Sequence, residues 1–592
     1  MRSDSNHRQI HMYLFDSLHM AYNALSVSQL GIQVAGQNLN NAETPGYARS
    51  ILQLSTDTSR KVGNGTILGT GVQVSGLVQV VDQFLEERLR LATGDAMASG
   101  TMQKYYTQLE NLLRATFSSD LSTSVLNFFN SIDNILNHPE DVTYRRMAVE
   151  QGIKLVNDIN SHASAIAEMQ LDINQQIEDS AGEINRLLKE IEDLNTNITL
   201  LEAKQGFEAV GLRDQRYNAL ATLSNYLSIK TTEDPKTGQL TIHSGSNILL
   251  SAGYRAEIKV GYQEDNAEST VALAQLCIGK EMTPLDVRGG AIYGLYQSHQ
   301  VILGGYLDKL NTFTGELVTS FNTIYSSGQG LTGYTELSSL VRTNDVNMPI
   351  GIASLDTPVV NGGFIIQIYD TRTGATIDHY IEIKVDEPVQ NNPFSLKTPQ
   401  APNGTTFQDL ADAINAIDGL TATLNAYGEL EIRSEGGNVE FAFAQDTSGV
   451  LSALGLNSFF TGIKAGSLGV NPTLLSDPSK FAASQSGVGS DTEIGVYLAA
   501  LAITPNSVLG GATLINRYNG IVSETMMAAA TTKAVTTANM LYQDSLQAQR
   551  NSISGVNVDE ETMMLMIYQR MFQANSRFVS IVDQMMSMLL SI

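Results

Sequence analysis

Apolar residues recur at helical spacing near both ends of this 592-residue chain. Near the N-terminus they alternate in steps of three and four, and near the C-terminus two rows repeat every seven residues. Such a heptad period predicts helices that pack along one face against another helix. The N-terminal face comprises Phe15, Leu18, Tyr22, Leu25, Ile32 and Leu39, and the C-terminal rows comprise Met564, Met571, Phe578 and Met585 with Ile567 and Ile581.

We interpret these two faces as an assembly interface, because neither terminal segment has an obvious partner nearby in the sequence. Isolated helices that contain Gly, Ser and Asn are marginal in water. We therefore expect both ends to be largely disordered in the single chain, and to fold when they pair and stack on neighbouring copies. The alternative is that the last helix is a core helix of an ordinary globular domain.

Each terminal helix is bounded by a recognisable local sequence. The first is followed by NAETPGY at residues 41–47, where Pro45 and Gly46 predict a type II turn that directs the chain away from the helix axis. The last helix is expected to follow GVNVDEE at residues 555–561. We expect Asp559 to be its N-cap, with Glu560 and Glu561 stabilised near the positive end of the helix.

The region between the two ends predicts long helices and a few strands. From about Asp82 to Tyr226 the pattern is helical, and apolar residues between Ile166 and Leu201 occupy the a and d positions of a coiled coil. An antiparallel bundle predicts the same spacing, so a dimeric coil and a bundle both remain open. Strands are expected at 50–56, 71–81 and 239–262, and helical patterning returns at 290–325.

Short strands separated by Gly and Asn turns dominate between about residues 347 and 462, as in FIIQIYD and VEFAFA. One helix is expected among them, at 406–417. This change of character from the flanking helical regions predicts a separate α+β module.

Composition and motifs argue against several classes of function. A formal net charge of −25 argues against nucleic acid or an anionic membrane as a partner. The single cysteine, Cys277, excludes an intrachain disulfide and is expected to be a buried structural thiol. The eight histidines are scattered, and no nucleotide-binding loop or paired acid and base is evident. We therefore expect no catalytic, cofactor or metal site, and a protein that is not an enzyme.

The N-terminus also bears on location. MRSDSNHRQIHMYLF lacks the continuous apolar region of a secretory signal peptide, and no segment approaches the roughly 20 apolar residues that span a bilayer. Because residues 1–11 are polar and patternless, Met12 is an alternative start to Met1.

The segment NLNNAETPGYAR at residues 38–49 resembles a signature shared by flagellar rod, hook and hook-associated proteins. Segments 211–229, 306–325 and 554–590, and the insert that ends at residue 462, resemble the family of the first hook–filament junction protein. The matching residues are Asn38, Asn41, Thr44, Pro45, Gly46 and Tyr47 in the turn signature, and Gly555, Val556, Asn557, Asp559, Glu560 and Glu561 in the C-terminal block.

The resemblance implies an extracellular structural subunit, exported by the flagellar type III apparatus without a cleaved signal peptide and assembled at the distal end of the hook. Its implied partners are further copies of itself in a ring, the hook protein, the second junction protein and an export chaperone at the C-terminus. The alternatives are a hook or distal rod protein, or an exported adhesin that uses residues 347–462 for recognition.

Together, the residues and the resemblance predict a multidomain fold, mainly α with β-rich insertions. The terminal helices would pair as an α-helical coiled-coil inner domain, beside a long-helix bundle domain with β-hairpins and a projecting α+β module. The expected divisions are a polar extension at 1–11, the inner domain at 12–55 with 545–592, the bundle domain at 56–346 with 463–544, and the projecting module at 347–462.

Overall fold

A computed structural model provides the coordinates of the protein. Pro45 of the expected turn lies outside the described residues, as do the chain's first residue and its last two. The structure describes residues 2–44, 46–57, 59–62, 66–69, 71–115, 121–205, 208–263, 271–353, 355, 357–385, 404–489, 491–506 and 508–590.

The described chain is mostly helical, as the apolar periodicity predicts. The helix expected between Asp82 and Tyr226 is divided into four, and the one expected at 290–325 contains a π-helical segment, Ser298–Gly304. The α-helices are α1 (Arg2–Asn40), α2 (Gln83–Ala115), α3 (Leu121–Asn137), α4 (Val142–Gln205), α5 (Val210–Tyr226), α6 (Gly290–Gln297), α7 (Gly305–Tyr325), α8 (Phe407–Asn415), α9 (Val450–Leu454), α10 (Pro472–Ser476), α11 (Glu493–Ala500), α12 (Leu514–Ser554) and α13 (Val558–Leu590).

The strands form small antiparallel sheets between the helices. The strands expected at 50–56 and 71–81 are confirmed as the paired β1 and β4, but the hairpin between them was not expected from the sequence. The strands are β1 (Ser50–Thr56), β2 (Ser59–Val62), β3 (Thr66–Gly69), β4 (Val72–Gln79), β5 (Lys230–Glu233), β6 (Leu240–Ser244), β7 (Asn247–Ser251), β8 (Tyr254–Arg255), β9 (Ile258–Gln263), β10 (Leu273–Ile278), β11 (Thr283–Pro284), β12 (Glu336–Ser338), β13 (Gly362–Asp370), β14 (Thr376–Ile383), β15 (Leu420–Leu424), β16 (Leu430–Ser434), β17 (Val439–Ala444), β18 (Phe460–Thr461) and β19 (Gly469–Val470).

The apolar seam of α4 is covered by the same chain. Its a and d residues from Ile166 to Ile191 belong to one large core that also contains residues of α5, α7, β9 and β10. Two asparagines of α4 bind the backbone in and beside the strands: the buried Asn174 contacts Ala272 and Ala274, and the half-buried Asn185 contacts Ile258. The seam therefore packs within one molecule, which favours the bundle over the dimeric coil.

The strand-rich module has a core of its own, with boundaries that differ from those expected. Because β12 pairs with β16, Tyr334 and Leu337 belong to this core, which ends at Leu456. Phe459 and Phe460 belong instead to the large helical core, where Phe459 packs against Phe128 of α3. The module's core thus runs from 334 to 456 rather than from 347 to 462. Its predicted helix is confirmed as α8, which begins after a Thr406–Asp409 capping box.

The two terminal helices pair with each other, α1 against α13. They run antiparallel, because Arg49, just beyond α1, binds Glu561 in the first turn of α13. The structure thus differs from the expectation that both ends are disordered in the single chain. With 39 and 33 residues, both helices exceed the roughly 12–15 residues below which isolated helices are marginal, and each buries part of the other.

Candidate assembly surface and its joint

Small side chains form the seam between α1 and α13. The buried positions of α1 include Ala21, Ser28 and Ala35, together with Gly31. The ring of Tyr568 lies directly over Gly31, where an added Cβ would come within 2.5 Å of the ring. The absence of a side chain at Gly31 therefore allows the helices to approach closely.

The predicted N-terminal face is displaced by one residue at two of its six positions. Leu18, Leu25, Ile32 and Leu39 are half-buried, but Phe15 and Tyr22 are exposed. Their neighbours Leu14 and Ala21 are buried instead. Apolar periodicity selects the larger side chains as contact residues, whereas a close approach of two helices favours the smaller ones at the contact.

Most of the predicted C-terminal face lies on the side of α13 that α1 leaves open. Among the side chains of α13 that the structure describes, those of Glu561 and Val582 are buried, whereas that of Met564 is half-buried. The remaining predicted residues are exposed, each by more than a third: Ile567, Met571, Phe578, Ile581 and Met585. Within a single chain, α13 therefore presents an apolar face to solvent. We call these five residues the open face of α13.

The turn after α1 is closed by hydrogen bonds of its own motif. Gly46 adopts φ +80°, which is the conformation of the third residue of a type II turn, and the Tyr47 amide donates to the Thr44 carbonyl. Asn38 is buried, and its side chain donates to the Ser50 carbonyl and accepts from the Ser50 amide and the Tyr47 hydroxyl. Asn38 thus fixes the path of the chain from the helix into β1.

The C-terminal motif lies beside this turn, and it corrects the predicted cap of α13. Asn557 caps the helix, because its side-chain oxygen accepts from the Asp559 amide at 3.0 Å, whereas Asp559 already lies in the first turn. Glu560 and Glu561 lie in that turn as expected, and both bind Arg49. The two sequence motifs, more than 500 residues apart, are therefore joined by ion pairs.

A buried ion pair connects the turn after α1 to the helical body. Arg550 near the end of α12 donates to Glu86 of α2 at 2.6 Å and to the Gly46 carbonyl at 2.9 Å. Neither Arg550 nor Glu86 was singled out from the sequence, because 464 positions separate them and each appears alone in an ordinary helical pattern. We use the term joint for the contacts made by Arg49, Arg550 and Asp214. The contacts of Asp214 are described next.

Asp214 of α5 completes the joint. Its carboxylate accepts from the Ala48 amide at 3.3 Å and from the Gln79 side chain at 2.6 Å. Burial raises the pKa of Asp214 to about 6, although these two donors and the charge of Arg550 oppose the shift. The group is therefore charged at neutral pH at some cost in free energy.

The stability of the natural chain is expected to depend on pH through Asp214, and the Asp214→Asn variant should lose this dependence. A folded-state pKa above the unfolded value contributes stability at low pH, and this contribution is lost as the pH rises through about 6. At pH 7.5 the variant should resist urea better than the natural chain by about 2 kcal/mol, and at pH 4 the two should be alike. Urea denaturation of both chains at both pH values tests this. The same difference in stability between the two chains at pH 4 and at pH 7.5 would contradict it.

A cavity of about 850 Å³ is lined by residues of both motifs, including Gly46, Tyr47, Gly555 and Val556. Among the described residues, no group of three or more His, Cys, Asp and Glu side chains is placed to hold a metal ion. Cys277 is buried in β10, and burial raises the pKa of its thiol. In the part of the chain described, we find no helix with the length and apolarity to cross a membrane.

Comparisons with known proteins point to the flagellum. Residues 106–338 match the family model described as the flagellar hook-associated protein FlgK helical domain, and residues 547–592 match that of the flagellar basal body rod FlgEFG protein C-terminal. Flagellar hook-associated protein 1 of Salmonella typhimurium is 25% identical over 97% of this chain and 99% of its own length. The protein of that name from Escherichia coli is 24% identical over 97% of this chain and 98% of its own length.

A solved structure is also similar. The flagellar hook junction protein FlgK from Burkholderia pseudomallei aligns with a TM-score of 0.48 at 15% identity, covering 79% of this chain and all of that chain.

Proposed function

Because the chain belongs to the flagellar hook-associated protein 1 family, we propose that this structural protein of the flagellum assembles at the distal end of the hook as the hook–filament junction. The open face of α13 is the single observation that carries the proposal. Apolar surface removed from water contributes about 25 cal/mol per Å², so five exposed apolar side chains in one row favour association strongly. Further copies of the chain, arranged in a ring, would cover that face.

The joint gives the terminal helices a fixed direction. Its contacts bind the turn after α1 and the start of α13 to the helical body through buried or half-buried groups. We propose that the paired termini form the inner part of the ring, that the helical body surrounds them, and that the module with its core at 334–456 projects outward. The hook protein and the second junction protein would bind on the two sides of such a ring.

The route to this position is also part of the proposal. The chain would be exported by the flagellar type III apparatus without a cleaved signal peptide, and an export chaperone would cover the open face of α13 before export. An exposed apolar face needs such protection, because it otherwise promotes aggregation.

A strain that lacks this chain tests the junction role directly. We expect complete hooks that end bare, with filament subunits released into the medium, and electron microscopy of the isolated appendages would show this. Absent or shortened hooks would instead indicate the alternative role of a hook or distal rod protein.

The Ile581→Glu variant tests the open face itself. Ile581 is 54% exposed, so the single chain should fold with a stability within about 0.5 kcal/mol of the natural one, whereas a charge buried between copies should abolish assembly on hooks. Ile503→Glu is the matched control, because Ile503 is 73% exposed in the loop before α12. Filament growth in the complemented strain is the readout. Normal growth with Ile581→Glu would contradict the role of this face.

A further inference from the structure

Thioether sulfurs are concentrated in the last helix. Seven of the 19 methionines of the chain lie in the 33 residues of α13, where a uniform distribution would place about one. Leucine would supply similar apolar area with about the same helix propensity, so neither apolarity nor helix propensity accounts for the choice of methionine. Five of the methionines are exposed by more than two-fifths: Met571 and Met585 of the open face, and Met563, Met566 and Met588 elsewhere on the same helix.

Methionine differs from leucine in one reaction that matters for an extracellular surface. A peroxide oxidises the thioether: a sulfur lone pair attacks one peroxide oxygen, the O–O bond breaks, and the sulfur becomes a sulfoxide as water leaves. The sulfur gives up two electrons and the peroxide gains them. Nothing else is required of the protein except that the sulfur be accessible.

We propose, on the basis of the proposed function, that the exposed methionines of α13 are a modification site for oxidants of the peroxide class. Their sulfoxidation prevents a free subunit from assembling. A sulfoxide replaces an apolar group with a strong dipole that has no partner in an apolar interface. Subunits already in a ring have these sulfurs covered and are protected. Oxidation therefore acts on the supply of subunits and leaves the finished structure intact.

The position of the methionines makes this effect specific to α13. Met527 of α12 is 71% exposed, more than any of the five, and a peroxide will oxidise it too. It lies on α12, however, and neither on the open face nor elsewhere on α13, so we expect its sulfoxide to have no consequence for assembly. Met527→Leu is therefore the matched control.

The experiment uses the full chain and hooks isolated from a strain that lacks it. Hydrogen peroxide is added to the free chain, the sulfoxides are located by mass spectrometry, and binding to hooks is measured. We expect oxidation of the α13 methionines to weaken binding at least about tenfold. Treatment with methionine sulfoxide reductases should restore binding.

Substitutions then assign the effect to residues. In a variant that combines Met563→Leu, Met566→Leu, Met571→Leu, Met585→Leu and Met588→Leu, peroxide should change binding less than about twofold relative to the same variant untreated. Met527→Leu should stay as sensitive as the natural chain. Sensitivity to peroxide that persists in the fivefold variant would overturn the proposal.

The outcomes also separate this inference from the proposed function. If the untreated natural chain does not bind hooks, the proposed function fails and the inference fails with it. If the untreated chain binds, and the chain with sulfoxides at all five positions binds equally well, the inference fails and the proposed function stands. Failure of the reductases to restore binding would also contradict the inference, independently of any variant.

Discussion

Replacing Arg550 by methionine is expected to lower the free energy of unfolding by about 3 kcal/mol, because it leaves Glu86 charged and buried without its partner. Arg550 and Glu86 are each only 8% exposed, so water cannot take over the role of the guanidinium. The Gly46 carbonyl loses a donor as well. Arg90, one turn along α2, reduces this cost in free energy because its charge attracts that of Glu86. The pKa of Arg90 reflects the attraction: burial lowers this pKa, and the charge of Glu86 opposes the shift.

A surface arginine provides the control for this loss. Arg186 binds Glu183 and Glu190 through similarly short contacts, but its side chain is 57% exposed. The Arg186→Met variant should therefore lose less than about 1 kcal/mol, since exposed ion pairs contribute little. The comparison separates the burial of the ion pair from its geometry.

Hydrogen exchange of the backbone amides from Gly46 to Ser50 measures the effect where it is expected. In the Arg550→Met chain these amides should exchange faster by two orders of magnitude, in line with a loss of about 3 kcal/mol in local stability. A second variant, Arg550→Met with Glu86→Leu, should recover most of the loss because no charge remains unpaired. Equal exchange in the Arg550 and Arg186 variants would contradict a role of the buried pair in the joint.

The sequence predicts the helices of this protein better than it predicts which side of a helix faces which partner. The period of Ile and Leu in α4 identifies a buried seam, since each large residue there is buried to within a few per cent up to Ile191. In α1 the same reasoning selects Phe15 and Tyr22, which are exposed. Apolar periodicity records where large side chains lie, and a helix pair held by Ala, Ser and Gly contains few of them at its contact.

The contacts of the joint could not be predicted from the sequence, for a different reason. Asn38 and Glu561 were named as motif residues, but the charges that connect the motifs to the body, Arg550 and Asp214, lie in helices with no local signal. Ion pairs between segments hundreds of residues apart follow from the folded path of the chain. They can be recognised only when that path is known.

Replacing Gly31 by leucine is expected to separate α1 from α13, at a cost of about 3 kcal/mol in the stability of the pair. A Cβ at this position would lie within 2.6 Å of three atoms of the Tyr568 ring, including Cγ, which is close to the backbone of α13 and cannot swing aside. The helices must then move apart along their small-residue seam. Hydrogen exchange in α1 should rise, and binding of the chain to hooks should fall with it.

Gly36, five residues further along the same helix, makes the test decisive. A Cβ there meets nothing within 4 Å, so Gly36→Leu adds a good helix former whose Cβ has open space around it. This variant should stabilise α1 by up to about 1 kcal/mol, because glycine is the poorer residue in a helix interior. If both leucine variants protected α1 to the same extent, the close packing of Tyr568 on Gly31 could not be what holds the terminal helices together.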